Sequence, residues 1–410
     1  MPIRFDELEA LDRADPLAPF RDAFVLPQGV VYLDGNSLGA LPRATAGRLA
    51  EVVQREWGEG LIRSWNDAGW IGLAERIGGK IGRLVGAAPG TLVAADSTSV
   101  NVFKALGVAL GLRPDRQVIV SEAGNFPTDL YIAEGLIGLL GGRHALRQVE
   151  AGDIVGALGP DVAVVMLTHV NYRTGAMHDM AAVTRAAHEA GALVLWDLAH
   201  SAGAVPLDLE AAGADLAVGC GYKFLNGGPG APAFLYVAAR HQAAARYPIT
   251  GWLGHAEPFA FAPGYRAGAG IAGATVGTPS ILGMAALEVG VDIALRAPMD
   301  QVRAKSLEQA EMLMALVAER CPELALATPR DGARRGSQVS FRHPEAYAVM
   351  QGLIARGVIG DFRTPDILRF GITPLTLRYV DLWVAAEVLA EVLAAEVWRE
   401  ERFRVRRLVT

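Results

Sequence analysis

Cysteine is almost absent from this chain: Cys220 and Cys321 are two residues in 410. Two thiols in a chain this long exclude a disulfide framework and point to a reducing compartment. An excess of charge is missing too. The formal net charge is -6, the pI about 5.8 and the charged fraction 20%, so nothing favours a nucleic-acid partner. The arginines near the C-terminus alternate with Glu400 and Glu401, which reads as a solvated helix face or tail. No apolar run approaches the ~20 residues that span a bilayer. The opening MPIRFDELEALDRADP is acidic and lacks the apolar core of a signal peptide. A cytoplasmic protein with no membrane partner is therefore expected. No G-x-G-x-x-G follows a strand, and no Walker loop or H-E-x-x-H occurs. The eight histidines and two cysteines show no zinc-like spacing, so no metal is expected.

What is present is apolar and patterned. Hydrophobic residues make up 51%, enough for a large core. Neither internal repeats nor low-complexity segments occur. Residues 1–45 read as an arm with a short helix, the run Val30–Leu33 and a turn at Asp34-Gly35-Asn36. From 44 to 85 apolar residues recur at helical spacing. The middle then alternates helices near 99–112, 128–139 and 179–190 with β-rich runs at Val118–Val120, Val162–Leu167, Leu193–Trp196, Leu216–Gly219 and Phe234–Val237. This alternation predicts an α/β fold with a mostly parallel sheet covered on both faces. From about 281, long helices (281–296, 300–319, 345–356, 379–396) with short strands predict a smaller α+β domain. The expected division is 1–45 as arm and part of the small domain, 46–285 as large domain and 286–410 as small domain.

The chemistry concentrates between Ala192 and Tyr236. One apolar run ends on Asp197. A second leads into Gly221-Tyr222-Lys223 and the turn Asn226-Gly-Gly-Pro-Gly. In open α/β sheets ligands bind beyond the carboxyl ends of strands, and 26 residues allow one excursion between neighbouring strands. A carboxylate and a lysine placed so suit pyridoxal phosphate: the lysine holds its aldehyde as a Schiff base, and the carboxylate pairs with its ring nitrogen. The ordinary readings are a surface lysine and a capping aspartate. His200 follows at turn distance and is equally a structural histidine. Ser97-Thr98-Ser99 opens a helix, where free N–H groups suit a phosphate, though the string is also a good N-cap. Phe126, after a strand, could stack on a flat ring or belong to the core. Asp129 could cap the next helix. Arg369, inside an apolar run, needs an anionic partner: a substrate carboxylate gripped bidentately, or a structural ion pair.

Taken together, the strings resemble the kynureninase family of pyridoxal-phosphate enzymes, in the class V aminotransferase group. The resemblance runs over nearly the whole chain: YLDGNSLG at 32–39, SWNDAGW at 64–70, STSVN at 97–101, FPTD at 126–129, THVNYRTG at 168–175, WDLAH at 196–200, GYKFLNGGPG at 221–230, GWLGH at 251–255 and DILRFGITPL at 366–375. It implies fold type I, with a mostly parallel sheet of the seven-stranded type in a large pyridoxal-phosphate domain. It implies hydrolysis of L-kynurenine to anthranilate and L-alanine within tryptophan catabolism, with 3-hydroxykynurenine as a second substrate. Lys223 would carry the cofactor, and Tyr222 and Asp197 would serve catalysis. Thr98, Ser99 and Tyr222 would hold the phosphate, joined by Trp252 and Thr278 from a neighbouring subunit of a homodimer. Phe126 would stack on the ring, and Asp129, Thr168 and His200 would complete the shell. Arg369 would bind the substrate carboxylate, with Trp65, Gly277 and Asn36 as further substrate contacts. The competing readings are a cysteine desulfurase or aminotransferase of the same class, for which Cys220 and Cys321 are poorly placed, and a non-catalytic binding protein of the same fold.

Overall fold

The computed structural model describes residues 3–407, so residues 1–2 and 408–410, the outer ends of the expected domains, lie outside the described residues. The chain divides into two compact units.

The larger unit comprises Ala44–Asn171 and His178–Leu295. Its sheet has seven strands: β1 (Leu92–Ala94), β2 (Val118–Glu122), β3 (Ala145–Val149), β4 (Val162–Thr168), β5 (Leu193–Asp197), β6 (Leu216–Gly219) and β7 (Phe234–Val237), in the order β1-β7-β6-β5-β4-β2-β3. β7 pairs antiparallel with both neighbours; the remaining pairs are parallel. The central strands β4, β5 and β6 are buried at every position, as their unbroken apolar runs require of strands covered on both faces. Helices α1 (Leu73–Val85), α2 (Thr98–Leu112), α3 (Pro127–Leu139), α4 (Met180–Glu189) and α5 (Ile281–Arg296) belong to this unit. Trp196 is wholly buried, and its indole N–H donates to Thr184 Oγ1 at 3.1 Å, which satisfies the one polar group such a ring brings into a core.

The smaller unit comprises residues up to Arg43, Tyr172–Met177 and the chain from Arg296. It holds an antiparallel sheet of β8 (Ala325–Leu326), β9 (Gln338–Arg342), β10 (Asp361–Arg363) and β11 (Ile367–Gly371), in the order β8-β9-β11-β10. Its helices are α6 (Met299–Arg320), α7 (Ala346–Ile354) and α8 (Tyr379–Ala394).

Three expectations differ from these findings. The boundary expected at 285/286 falls inside α5, which stays with the larger unit through Leu295. The helical run expected over 44–85 is broken: Thr45–Glu51 continues as a wide π-turned segment, Val52–Gly60, one short α-turn spans Ser64–Asp67, and a long regular helix begins only at Leu73. Gly58 and Gly60 weaken the α-helix there, and the Ser64 hydroxyl donates to the Glu56 carbonyl at 2.5 Å. Strand β3, ALRQV, was not expected, because an edge strand carrying Arg147 and Gln148 lacks a continuous apolar run.

Candidate active site

Parallel strands bring their carboxyl ends to one edge of the sheet. At that edge Thr168, the last residue of β4, is in register with Asp197, the last of β5. Asp197 is buried, and its Oδ1 accepts the Ala199 N–H at 2.7 Å. Asp129 arrives from the first turn of α3 and is also buried. Burial and then the neighbouring Asp197 charge push the Asp129 carboxyl well above the usual carboxylate range. Burial raises Asp197 too, opposed by the Lys223 charge, the Ala199 N–H and a hydrogen bond with Asp129. Both carboxyls are thus held above the usual range by burial, with the Lys223 charge drawing each back. Asp129 Oδ2 is buried with no hydrogen-bond partner among the described residues.

Lys223 lies in the turn after β6. Gly221 passes against the Pro232 carbonyl, leaving no room for a Cβ, and Gly228 adopts φ +85°, a conformation open mainly to glycine. The chain has four lysines. Lys80 pairs with Glu288 and Asp292, Lys104 with Asp96, and Lys305 with Asp15. Lys223 alone has no carboxylate ion pair among the described residues. Its Nζ is 3.1 Å from His200 Nε2, 5.9 Å from the Phe126 ring centroid and 5.8 Å from that of Tyr222. An amine held between rings and unneutralised by a carboxylate suits imine chemistry.

Ser97 caps α2, its Oγ accepting the Val100 N–H at 3.4 Å. Thr98 Oγ1 is buried without a partner among the described residues. A free hydroxyl at the positive end of a 15-residue helix fits a phosphate. Asp96, Ser97, Gly277 and Thr278 line a cavity of about 440 Å³. The Thr168 hydroxyl and N–H both donate to Asn125 Oδ1, the latter at 3.0 Å. Trp65 packs edge-on against Trp70 and Trp252 at 6.3 and 6.2 Å, and Trp252 against Phe259 at 5.6 Å.

In the smaller unit, Arg369 on β11 faces Asp361 on β10. Its Nε donates to Asp361 Oδ1 at 2.7 Å, and its Nη2 to Asp361 Oδ2 and, at 2.6 Å, to Ser37 Oγ; Nη1 donates to the Tyr172 carbonyl at 2.6 Å. Four of the five guanidinium N–H groups are thus engaged. The structural ion pair is present, and the free bidentate fork expected for a carboxylate is not: one Nη1 hydrogen remains. Burial would raise Asp361, but the Arg369 charge and hydrogen bonds outweigh it and hold the carboxyl low. Burial and Asp361 together push Asp34 up to about 7 against the pull of Arg369. Asn36 is fully buried and donates to Gln338 Oε1 at 3.3 Å. Gly35-Asn36-Ser37-Leu38-Gly39 has the G-x-S-x-G spacing of a nucleophile elbow. Its Ser37 hydroxyl links Asp361 and Arg369, a supporting role and not a nucleophilic one.

Sequence reasoning missed Asp361, Ser37, Asn125 and Lys104. For Asp361 a signal exists: the Thr364-Pro365-Asp366 turn folds 361–363 back on 367–371 and sets a carboxylate opposite the arginine.

The family model for the kynureninase C-terminal domain matches residues 302–389. A kynureninase of Burkholderia pseudomallei is 54% identical over 412 residues, 99% of each chain, and one of Pseudomonas fluorescens 52% identical over 408 residues, 98% of each. Among solved structures, a cysteine desulfurase from Thermococcus onnurineus NA1 superposes with TM-score 0.78 at 18% identity, covering 92% of this chain and 98% of its own. A variant of a cystine C–S lyase with glycine covalently linked to its pyridoxal phosphate matches equally, over 90% and 98%. At that identity the likeness concerns the fold, which is that of the pyridoxal-phosphate enzymes of fold type I.

Proposed function

The chain belongs to the kynureninase family, and from that premise we propose how its own residues serve the pyridoxal-phosphate-dependent hydrolysis of L-kynurenine to anthranilate and L-alanine. The observation that carries the assignment of residues is Lys223: the one lysine of four without a carboxylate partner, set beside Asp197 at the carboxyl edge of the sheet.

When bound, pyridoxal phosphate supplies an electron sink for the pair left on the substrate's α-carbon. Asp197, drawn toward its charged form by Lys223, the Ala199 N–H and its hydrogen bond with Asp129 against its burial, holds a proton on the ring nitrogen. Phe126 covers a ring face, with Thr168 and His200 completing the shell. Thr98 and Ser99 accept the phosphate with Tyr222. Lys223 moves the α-proton, and His200 orients its amine. Tyr222 is our candidate for the proton relay at the carbonyl end of the substrate; Tyr222→Phe should lower kcat even at saturating cofactor, beyond any weakening of phosphate binding. Arg369 takes the substrate carboxylate through its remaining Nη1 hydrogen. Trp65, Gly277 and Asn36 contact the substrate, and Trp65 with the Gly277-Thr278 pair favours kynurenine over 3-hydroxykynurenine.

We also propose a homodimer in which Trp252 and Thr278 enter the partner's site. The exposed apolar surface around Trp57, Ile62, Phe259 and Phe261 supports an interface. Co-expressing Lys223→Ala with Trp252→Ala chains should restore activity that neither variant has; for Thr278, the cavity shared with Ser97 makes the same hybrid test decisive. A cytoplasmic location agrees with two unpaired, buried thiols.

Those thiols also weigh against cysteine desulfuration. Burial raises the Cys220 thiol and pushes Cys321 up to about 12, so neither offers a thiolate. The direct test is to mix the protein with pyridoxal phosphate and L-kynurenine, following anthranilate fluorescence and L-alanine. Equal amounts of both, absent in Lys223→Ala, support the reading; cofactor binding without either product rejects the substrate.

A further inference from the structure

Lys104 is fully buried in the second turn of α2, a place where lysine is rare. Its Nζ forms an ion pair with Asp96 Oδ2 and donates to the Ala274 carbonyl at 2.7 Å. Asp96 stands two residues before Thr98, in a left-handed conformation with φ +48°. Its side chain is 31% exposed, and it lines the same cavity as Ser97 and Thr278. A carboxylate there is anomalous for a phosphate site. Unopposed, it would repel a dianion at the helix N-terminus.

We propose that Lys104 is a positioning residue that cancels the Asp96 charge behind the cofactor's phosphate and ties the Ser97–Ser99 turn to the segment leading into Thr275–Thr278. It thereby sets how far cofactor binding depends on the phosphate. This rests on the reading that the phosphate lies at Thr98 and Ser99. Lys104 touches neither the ring nor the substrate; it acts through Asp96. Pairing a buried lysine with a carboxylate and a carbonyl satisfies its charge and two of its three donors. The carboxylate fixes the ammonium, and the ammonium makes the turn tolerable to an anion.

The test is the ratio of affinities of the apoprotein for pyridoxal phosphate and for pyridoxal, titrated by the visible absorbance of the lysine-bound cofactor. Lys104→Met should lower that ratio by about 10- to 100-fold, with pyridoxal affinity little changed. Asp96→Asn should move it the other way, since it leaves the cation unopposed. The double variant should return the ratio to within a few-fold of the parent. A merely structural ion pair predicts that both single variants weaken both ligands and that the double variant rescues neither; that result, or an unchanged ratio in Lys104→Met, overturns the proposal. Asp96→Asn, at a part-exposed side chain, keeps the test available should Lys104→Met not fold. Thr98→Ala with Ser99→Ala checks the underlying reading separately: if the ratio is unmoved there, the phosphate lies elsewhere and the assignment of the site fails, independently of the ion pair.

Discussion

Asp197 and Asp215 are buried carboxylates at opposite ends of adjacent strands in one sheet. Asp197 closes β5 and Asp215 precedes β6. Asp215 receives His188 and His241 Nε2 at 2.8 and 2.7 Å, Arg240 at 2.7 Å and the Val194 N–H at 2.8 Å. Burial alone would raise it, but the histidine and backbone hydrogen bonds prevail and hold it at about 2. Asp197 has one backbone N–H, a hydrogen bond with Asp129 and the Lys223 charge, and it stays above its ordinary value. The same residue type, equally buried, is saturated at the amino edge and undersupplied at the carboxyl edge. Saturation stabilises the native state. Undersupply leaves capacity for a ligand, which is why perturbed carboxylates mark functional sites.

The largest effect is expected at Lys223. Lys223→Ala should remove the visible absorbance of the lysine-bound cofactor and lower turnover by about 10⁴-fold or more, with little change in thermal unfolding. Asp197→Asn should cost about 10²–10⁴-fold in kcat while unfolding at an unchanged or higher temperature, since an undersupplied charge is removed. Asp215→Asn should do the opposite. Breaking a buried, paired carboxylate costs about 3 kcal/mol, read as a lower denaturant midpoint, with kcat within two-fold. Equal loss of activity in both variants would erase the distinction.

pH sharpens it further. Asp215 has a depressed value, so its stabilisation is complete above the unfolded value near 4 and is lost as pH falls from about 4 through about 2. Asp34, raised to about 7, has the reverse sign. Between about pH 4 and 7 the native state binds more protons at this site than the unfolded chain, so stability falls as pH rises through that window. Asp34→Asn should flatten this slope, measured as denaturant midpoint against pH; a slope identical to the parent's would remove Asp34 as its source.

Much of this was legible beforehand. The apolar runs ending at Asp197 and leading to Lys223 show where strands stop, because strands covered on both faces have unbroken apolar sequence. What stayed hidden depends on pairing across distance. Asp361 turns Arg369 from a free fork into a committed one, and only the hairpin register reveals it. Lys104 reads as an exposed helix lysine until the fold buries it against Asp96. Strand β3 escapes because an edge strand tolerates polar residues.

The most direct test identifies which of the four lysines carries the cofactor. The holoprotein would be reduced with borohydride, digested and mapped by mass spectrometry over Lys80, Lys104, Lys223 and Lys305. The pyridoxyl label is expected on Lys223 alone. A label on any of the three ion-paired lysines instead would contradict it.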